Sequence, residues 1–326
     1  MSTFKARKAP KNTQAPGKPE RPDPYQLVTD LIIGHLEKGV VPWRCPWSRE
    51  AGRPRNFHSG KAYRGVNAVL LGCRLAASPW WMTYRQALER GGQVRRGESG
   101  AMVVKYGTFE REENETEGGT RKGMFLRTFT VFHASQIDGI AFPQPSPDEP
   151  LSPERRNLKA AAIAEAMPQR PVILEGAGPR ACYSPASDEV RMPPFAAFET
   201  PESFYGTLYH ELAHASGHPS RLNRPSLTSH DGFGGKVHSQ EELVAEMCAA
   251  FLCMEADIVR DRHERSAAYL EGWLRVLKAV DHRRWLVQAA GHAARAADFI
   301  LGKTGKPDGV PAEMEENPDP DCGNDG

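Results

Sequence analysis

Residues 209–218 read Tyr209-His210-Glu211-Leu212-Ala213-His214-Ala215-Ser216-Gly217-His218. The H-E-x-x-H within them has chemical meaning only on a helix, where four residues return a side chain to one face about 6 Å along the axis. His210 and His214 can then hold one zinc ion, or another divalent metal ion, through imidazole nitrogens. Glu211 lies within reach of a water on that ion. With 11 His in 326 residues, a shuffled chain would show the pattern on the order of 0.03 times, so chance is a weak competitor. Zinc lowers the pKa of a coordinated water to about 7, and Glu211 is placed to take the proton as hydroxide attacks a peptide carbonyl. A further donor must stabilise the oxyanion. His230, His238, Tyr183 and Tyr209 are candidates, and the sequence does not choose among them.

Two histidines need a third ligand. In the metzincin pattern H-E-x-x-H-x-x-G-x-x-H the chain matches as far as Gly217, but the third histidine would fall at Ser220. His218 comes two residues early and leaves the helix at the turn, which gives it a supporting place beside the site. The other solution is a glutamate from a following helix, and Ser239-Gln240-Glu241-Glu242-Leu243-Val244-Ala245-Glu246 supplies one. Glu242 is the expected ligand, with Glu246 four residues on as the carboxylate that orients a ligating histidine. Two readings compete. Glu241 points about 100° away from Glu242 around a helix. Ser239-x-x-Glu242 also makes a capping box, with Glu242 folded back on the helix start.

The flanks must position these groups. Thr200-Pro201-Glu202 reads as an N-cap, a proline in the first helical position and an acid in the first turn. Phe204, Leu208 and Leu212 would bury the side next to the metal-facing one. Gly217 suits a left-handed C-terminal residue, and Pro219 prevents continuation. A strand expected at 188–193, directly before this helix, would form a cleft edge along which an extended peptide could add. Strands are also expected near 171–174 and 181–184. Helices are expected at 153–166, 240–256 and 263–301, with a glycine-rich loop at 223–238.

The net charge of +1 conceals a division. Residues 1–140 carry 23 Lys+Arg and 13 Asp+Glu, and the remainder carries 19 and 28. Such asymmetry points to a polyanion-binding module joined to an acidic one. The basic half opens with an amphipathic helix over 24–38, with Leu27, Leu31 and Leu36 inward. It continues with arginines interleaved with aromatics in loops broken by proline and glycine. Arg44, Trp47, Arg53, Arg55, Phe57, Lys61, Tyr63, Arg64 and Arg85 are the candidate contacts to single-stranded DNA, since phosphates pair with Arg and Lys and bases stack on aromatic rings. About half of Trp43, Trp47, Trp80 and Trp81 are expected in the core instead. Helices near 67–76 and 83–90 and strands at 101–107 and 124–132 complete this half.

Five segments follow from composition: a disordered basic tail at 1–21, a module at 22–140, a linker at 141–155, a module at 156–302 and a disordered acidic tail at 303–326. No apolar run approaches the ~20 residues of a membrane span. The start has no apolar core of a signal peptide. The six cysteines form no C-x-x-C pair. Cys248 and Cys253 sit in an apolar run as core thiols, which suits a reducing cytoplasm.

The chain resembles the ArdC-type antirestriction proteins of conjugative plasmids. The likeness rests on landmarks in order: Gly39-x-x-Pro42-Trp43 with Pro46-Trp47, Tyr63-Arg64-Gly65-x-Asn67, Ser78-x-x-Trp81-x-Thr83-Tyr84, the H-E-x-x-H helix with Gly217-His218, Arg221-Leu222-x-Arg224, and Glu241 to Glu246. It covers residues 24–301. The resemblance implies two α+β domains: a small basic single-stranded-DNA-binding domain, also found on plasmid primases, and a zincin-like metallopeptidase domain. It implies protection of plasmid DNA that enters a cell as a single strand. Two functions then stand side by side, a zinc peptidase delivered to DNA with a specific protein substrate, and a protein that protects by coating single strands. A fragment of a primase is a third reading, against which stands the lack of polymerase-type carboxylate motifs.

Overall fold

The computed structural model describes residues 23–44, 52–74, 76–112, 120–143, 152–228, 236–258, 267–279 and 284–303. The expected tails, most of the linker, Trp47 and His230 lie outside them.

Asp23 caps α1 (Pro24–Glu37) by accepting from the Tyr25 amide, and Pro24 fits the first turn. The buried stripe is Val28, Ile32 and Leu36, four residues apart. Leu31 lies about 100° round the helix from Ile32 and is exposed, so the expected inward set is corrected there. A sheet follows from β1 (Arg55–Asn56), β2 (Trp80–Thr83), β4 (Ala101–Glu112) and β5 (Thr120–His133), in the order β1-β2-β5-β4. Between these strands run α2 (Val66–Gly72), α3 (Tyr84–Glu89) and β3 (Gln93–Val94), the last paired with β6 (Ile137–Asp138). β4 and β5 are longer than the sequence suggests and pair antiparallel along their length.

The second half contains α4 (Pro153–Glu165), β7 (Val172–Glu175), β8 (Cys182–Ser184), β9 (Glu189–Met192), α5 (Pro201–Ser216), the short α6 (Pro225–Thr228), α7 (Lys236–Ala256), α8 (Ala267–Lys278) and α9 (Trp285–Ile300). The helix expected over 263–301 is two helices. The strand expected to edge a cleft, β9, is central: β7 pairs with it in parallel and β8 antiparallel, so β7 and β8 are the edges. No helix among the described residues is long and apolar enough to cross a membrane.

The two halves share one core. A continuous buried cluster runs from Val28, Ile32 and Trp43 through Leu208 and Leu212 of α5 and Leu243 and Met247 of α7 to Leu286 and Ala293 of α9. Cys248 and Cys253 are buried in it, neither in a disulfide. Trp43 is fully buried, packs edge-on against Trp273 at 5.4 Å and donates its indole N–H to the Tyr269 hydroxyl at 3.4 Å. Gly65 sits at φ +52°, and a Cβ there would point at the Ala290 carbonyl 3.4 Å away, so the start of α2 lies close on α9. Trp81 is also core, whereas Trp80 is half-buried and donates to the Pro143 carbonyl.

Trp43→Ala should cost about 3–5 kcal/mol, as other buried aromatic truncations do. Because the ring joins both halves, thermal unfolding of that variant should separate into two transitions where the parent shows one. A single transition with an unchanged midpoint would show that Trp43 does not couple them.

Candidate metal centre

α5 forms as its sequence dictates. Thr200 caps it by accepting from the Ser203 amide, Pro201 starts it, and Phe204, Leu208 and Leu212 are buried. This leaves His210 and His214 on a neighbouring stripe that faces α7. Across from them stands Glu242. His210 Nε2 and His214 Nε2 are 3.2 Å apart, and Glu242 oxygens lie 3.4 Å from the first and 3.5 Å from the second. Tetrahedral ligands at about 2.0–2.2 Å from zinc would stand about 3.3–3.6 Å apart. These three side chains are the one set among the described residues that could hold a metal ion. With both Nε2 atoms as acceptors, three lone-pair donors converge on one point, which is repulsive without a cation between them.

The capping-box alternative for Glu242 is removed by the start of α7. Lys236 begins the helix, so Ser239 lies inside its first turn and not at its cap. Glu241 takes a different part. Its carboxylate meets His214 Nδ1 at 3.1 Å, which orients the ring and directs Nε2 toward Glu242. The sequence gives an orienting place to Glu246, and the structure sets Glu241 on His214 Nδ1. Glu246 is buried one turn further along α7, while His210 Nδ1 is buried with no hydrogen-bond partner among the described residues.

Glu241 is itself held. The guanidinium of Arg224, 2% exposed, forms a two-pronged pair with the carboxylate and also donates to the Ala213 carbonyl at 2.7 Å and Ser216 Oγ at 3.1 Å. The Ser226 hydroxyl donates to the same carboxylate. Burial raises the Glu241 pKa, but Arg224 and then His214 outweigh it and hold the acid well below the usual carboxylate range. Burial lowers the His214 pKa, and the Glu241 carboxylate overrides it, so His214 is raised. For Glu242, burial raises the pKa and the facing histidines, His210 first, bring it below the ordinary value.

Gly217 is corrected as well. Its φ is −81°, not left-handed. Glycine is needed there because a Cβ would stand 2.8 Å from Arg224 Cζ. His218 does not reach the metal-facing atoms: its Nδ1 faces the Ser220 hydroxyl at 2.8 Å and accepts the Ser220 amide, shaping the turn. Arg221 clamps Asp188 by two bonds, at 2.9 and 2.8 Å, and Tyr183 donates its hydroxyl to the same Asp188. Tyr209 is fully buried and donates to the Ala160 carbonyl. His238 Nε2 lies 4.0 Å from a Glu242 oxygen. The sequence assigns Arg224 no role; its one signal there is its place in the Arg221-Leu222-x-Arg224 landmark.

Several expected DNA contacts are internal bonds. Arg53 pairs with Glu255 of α7 at 3.0 Å, and Arg64 pairs with Asp298 of α9. Tyr63 accepts from Asn56 Nδ2 at 3.1 Å, and Phe57 packs against Trp80 and Phe142. The two arginines are taken up because the shared core brings their loops against α7 and α9. Arg55 and Lys61 are exposed, and Arg85 is exposed and paired with Glu89. Arg44 closes a single 3₁₀ turn.

Comparison with known proteins follows the same division. Residues 22–132 match the model of the N-terminal domain of the anti-restriction factor ArdC, and residues 161–292 match a zincin-like metallopeptidase model. DNA primase TraC of Escherichia coli is 34% identical over 301 residues, 85% of this chain, but the chain spans only 27% of that primase. The Sinorhizobium fredii protein y4eC is 32% identical over 296 residues, covering 86% of this chain and 93% of its own length. The crystal structure of metal-free antirestriction ArdC from plasmid R388 is 40% identical with a TM-score of 0.70, covering 86% of this chain and 97% of that one. Its Mn(II)-bound form is 39% identical, with a TM-score of 0.68 and coverages of 86% and 98%.

Glu241→Gln should weaken zinc or manganese binding about 10–100-fold, because the partner that orients His214 loses its charge. It should also destabilise the metal-free chain by about 3–5 kcal/mol, since Arg224 is left buried without its counter-ion. Glu246→Gln should leave metal affinity near the parent's. Calorimetric titration read beside chemical denaturation checks both. Equal losses of affinity at Glu241 and Glu246 would return the orienting role to Glu246.

Proposed function

The chain belongs to the ArdC-type antirestriction protein family, and on that premise we propose that its N-terminal half binds single-stranded DNA while its zincin-like half carries one divalent metal ion on His210, His214 and Glu242. Together they protect incoming plasmid DNA from restriction. The observation that carries the metal reading is the set of 3.2, 3.4 and 3.5 Å separations among the three side chains. Two imidazoles and a carboxylate with a fourth position open are the ligands of catalytic zinc sites, and the Mn(II)-bound relative supports a divalent ion.

When bound, the ion supplies Lewis-acid chemistry to water and to a carbonyl oxygen. Glu211 is the base for that water. It is 7% exposed and makes no hydrogen bond or ion pair among the described residues, and its charge is felt at His214. A carboxylate beside the metal-facing histidines with no bond to make elsewhere is available to take a proton. Of the oxyanion candidates, Tyr183 and Tyr209 spend their hydroxyls on Asp188 and Ala160. His238, one turn before Glu242, is the described side chain left beside the site.

The basic excess of the first 140 residues supports single-strand binding. Coating carries the protection, since restriction enzymes require duplex and blocking them needs no turnover. The unpartnered Glu211 favours a second activity, cleavage of one specific protein. Primase activity is not part of this reading, because the matched region is a small part of those enzymes.

Glu211→Gln keeps the side-chain volume and removes proton transfer. It should protect plasmid DNA as well as the parent, with unchanged single-strand affinity and thermal stability. Loss of protection with affinity and stability intact would give the protective role to the peptidase.

A further inference from the structure

Two of the five arginines expected as DNA contacts, Arg53 and Arg64, are bound to acids of the second half. A strand of nucleic acid needs cations that are not already neutralised. The long hairpin of β4 and β5 has them. Its register sets Lys105 directly opposite Arg127 and Val103 opposite Phe129, and directly opposed residues share one face of a sheet. Lys105, Arg127 and Phe129 are all exposed, Phe129 by 42%.

The opposite face is occupied. Val104 and Leu126 are buried in the shared core, with Met102 and Tyr106 packed against it. The face that carries Lys105, Arg127 and Phe129 is buried only toward Ala101, Val103 and Val131, which pack with Leu71 and Trp81, and is open at the Lys105–Arg127 rung and at Phe129. Like charges directly opposed across a strand pair destabilise it. Neither residue has an acidic partner among the described residues, and residues 101–107 and 125–133 contain no acid at all. Arg127 is instead stacked over the Phe125 ring at 4.6 Å, and that ring lies across Gly107, where a Cβ would stand 2.2 Å from it. Gly107 thus makes room for the ring that supports the guanidinium. The next rung along the same face, about 6.8 Å away, holds Phe129.

We propose that this open stretch of the β4–β5 hairpin is the track for single-stranded DNA: Lys105 and Arg127 neutralise the phosphates and Phe129 is the stacking platform. This rests on the single-strand reading above and names its site. The unbalanced positive rung gives the charge complement to a polyanion, and the adjacent exposed ring gives a surface that any base can cover without sequence preference.

The full chain is titrated with a fluorescent oligo-dT across a salt series, with two kinds of variant. Lys105→Ala plus Arg127→Ala should weaken binding at least tenfold and lower the slope of log affinity against log salt by about 1.4, since each phosphate contact contributes about 0.7 on a single strand. Phe129→Ala should lose about 5- to 150-fold with the slope unchanged, and Phe129→Trp should restore it. Lys105→Glu separates binding from folding. It turns the like-charged rung into an opposite-charged one, so the melting temperature should hold or rise while DNA affinity falls. A parent that binds no single strand would remove the single-strand reading itself, and the track with it. A parent that binds while these variants keep full affinity and slope would overturn only the track. Loss confined to Arg55→Ala, Lys61→Ala and Arg85→Ala would move the path to the turn between β1 and α2 and to α3.

Discussion

The metal-facing geometry depends on one buried ion pair. Arg224 and Glu241 are 2% and 4% exposed, and taking both from water costs several kcal/mol each before attraction repays it. What makes the pair tolerable is that the donors are used. The guanidinium bridges Glu241 to the last turn of α5, through Ala213 and Ser216, and Glu241 passes the constraint to His214. One chain of bonds therefore sets the distance from α5 to α7 and the rotation of a candidate ligand together. It also explains why Gly217 can carry no side chain: the guanidinium passes directly over it.

α7 extends this constraint to the other half of the protein. Glu241 and Glu242 lie near its start, and Glu255 near its end, about 20 Å further on, pairs with Arg53. α9 does the same from the opposite side, where Asp298 meets Arg64 and the alanine-rich face packs on α7. Alanines at 289, 290, 293, 296 and 297 let the helices approach closely. The N-terminal half is thus docked on the two helices that form the back of the metal centre. The Arg53–Glu255 and Arg64–Asp298 pairs tie the basic loops to these same helices.

Much of this was legible in the residues. The H-E-x-x-H helix, its Thr200 cap, its proline start and its apolar stripe follow from local rules, because helix spacing and capping depend on neighbours within four residues. Glu242 as the third member was reachable by the same logic, given a second helix carrying acids. The division of charge between halves was a matter of counting. Each of these features is short-range or additive, so the order of residues alone determines it.

The tertiary structure decided what depends on which distant side chains meet. Glu241 and Glu246 are equal as letters on a helix; only the crossing of α5 and α7, with Arg224 arriving between them, makes Glu241 the partner of His214. Gly217 read as a left-handed cap but is a clearance for a guanidinium. Arg53 and Arg64 read as open cations but are neutralised by acids more than 200 residues away. β9 read as an edge because sequence order hides that β7 and β8 close on both its sides. Long-range pairing is set by the packing of the shared core, and no local spacing records it.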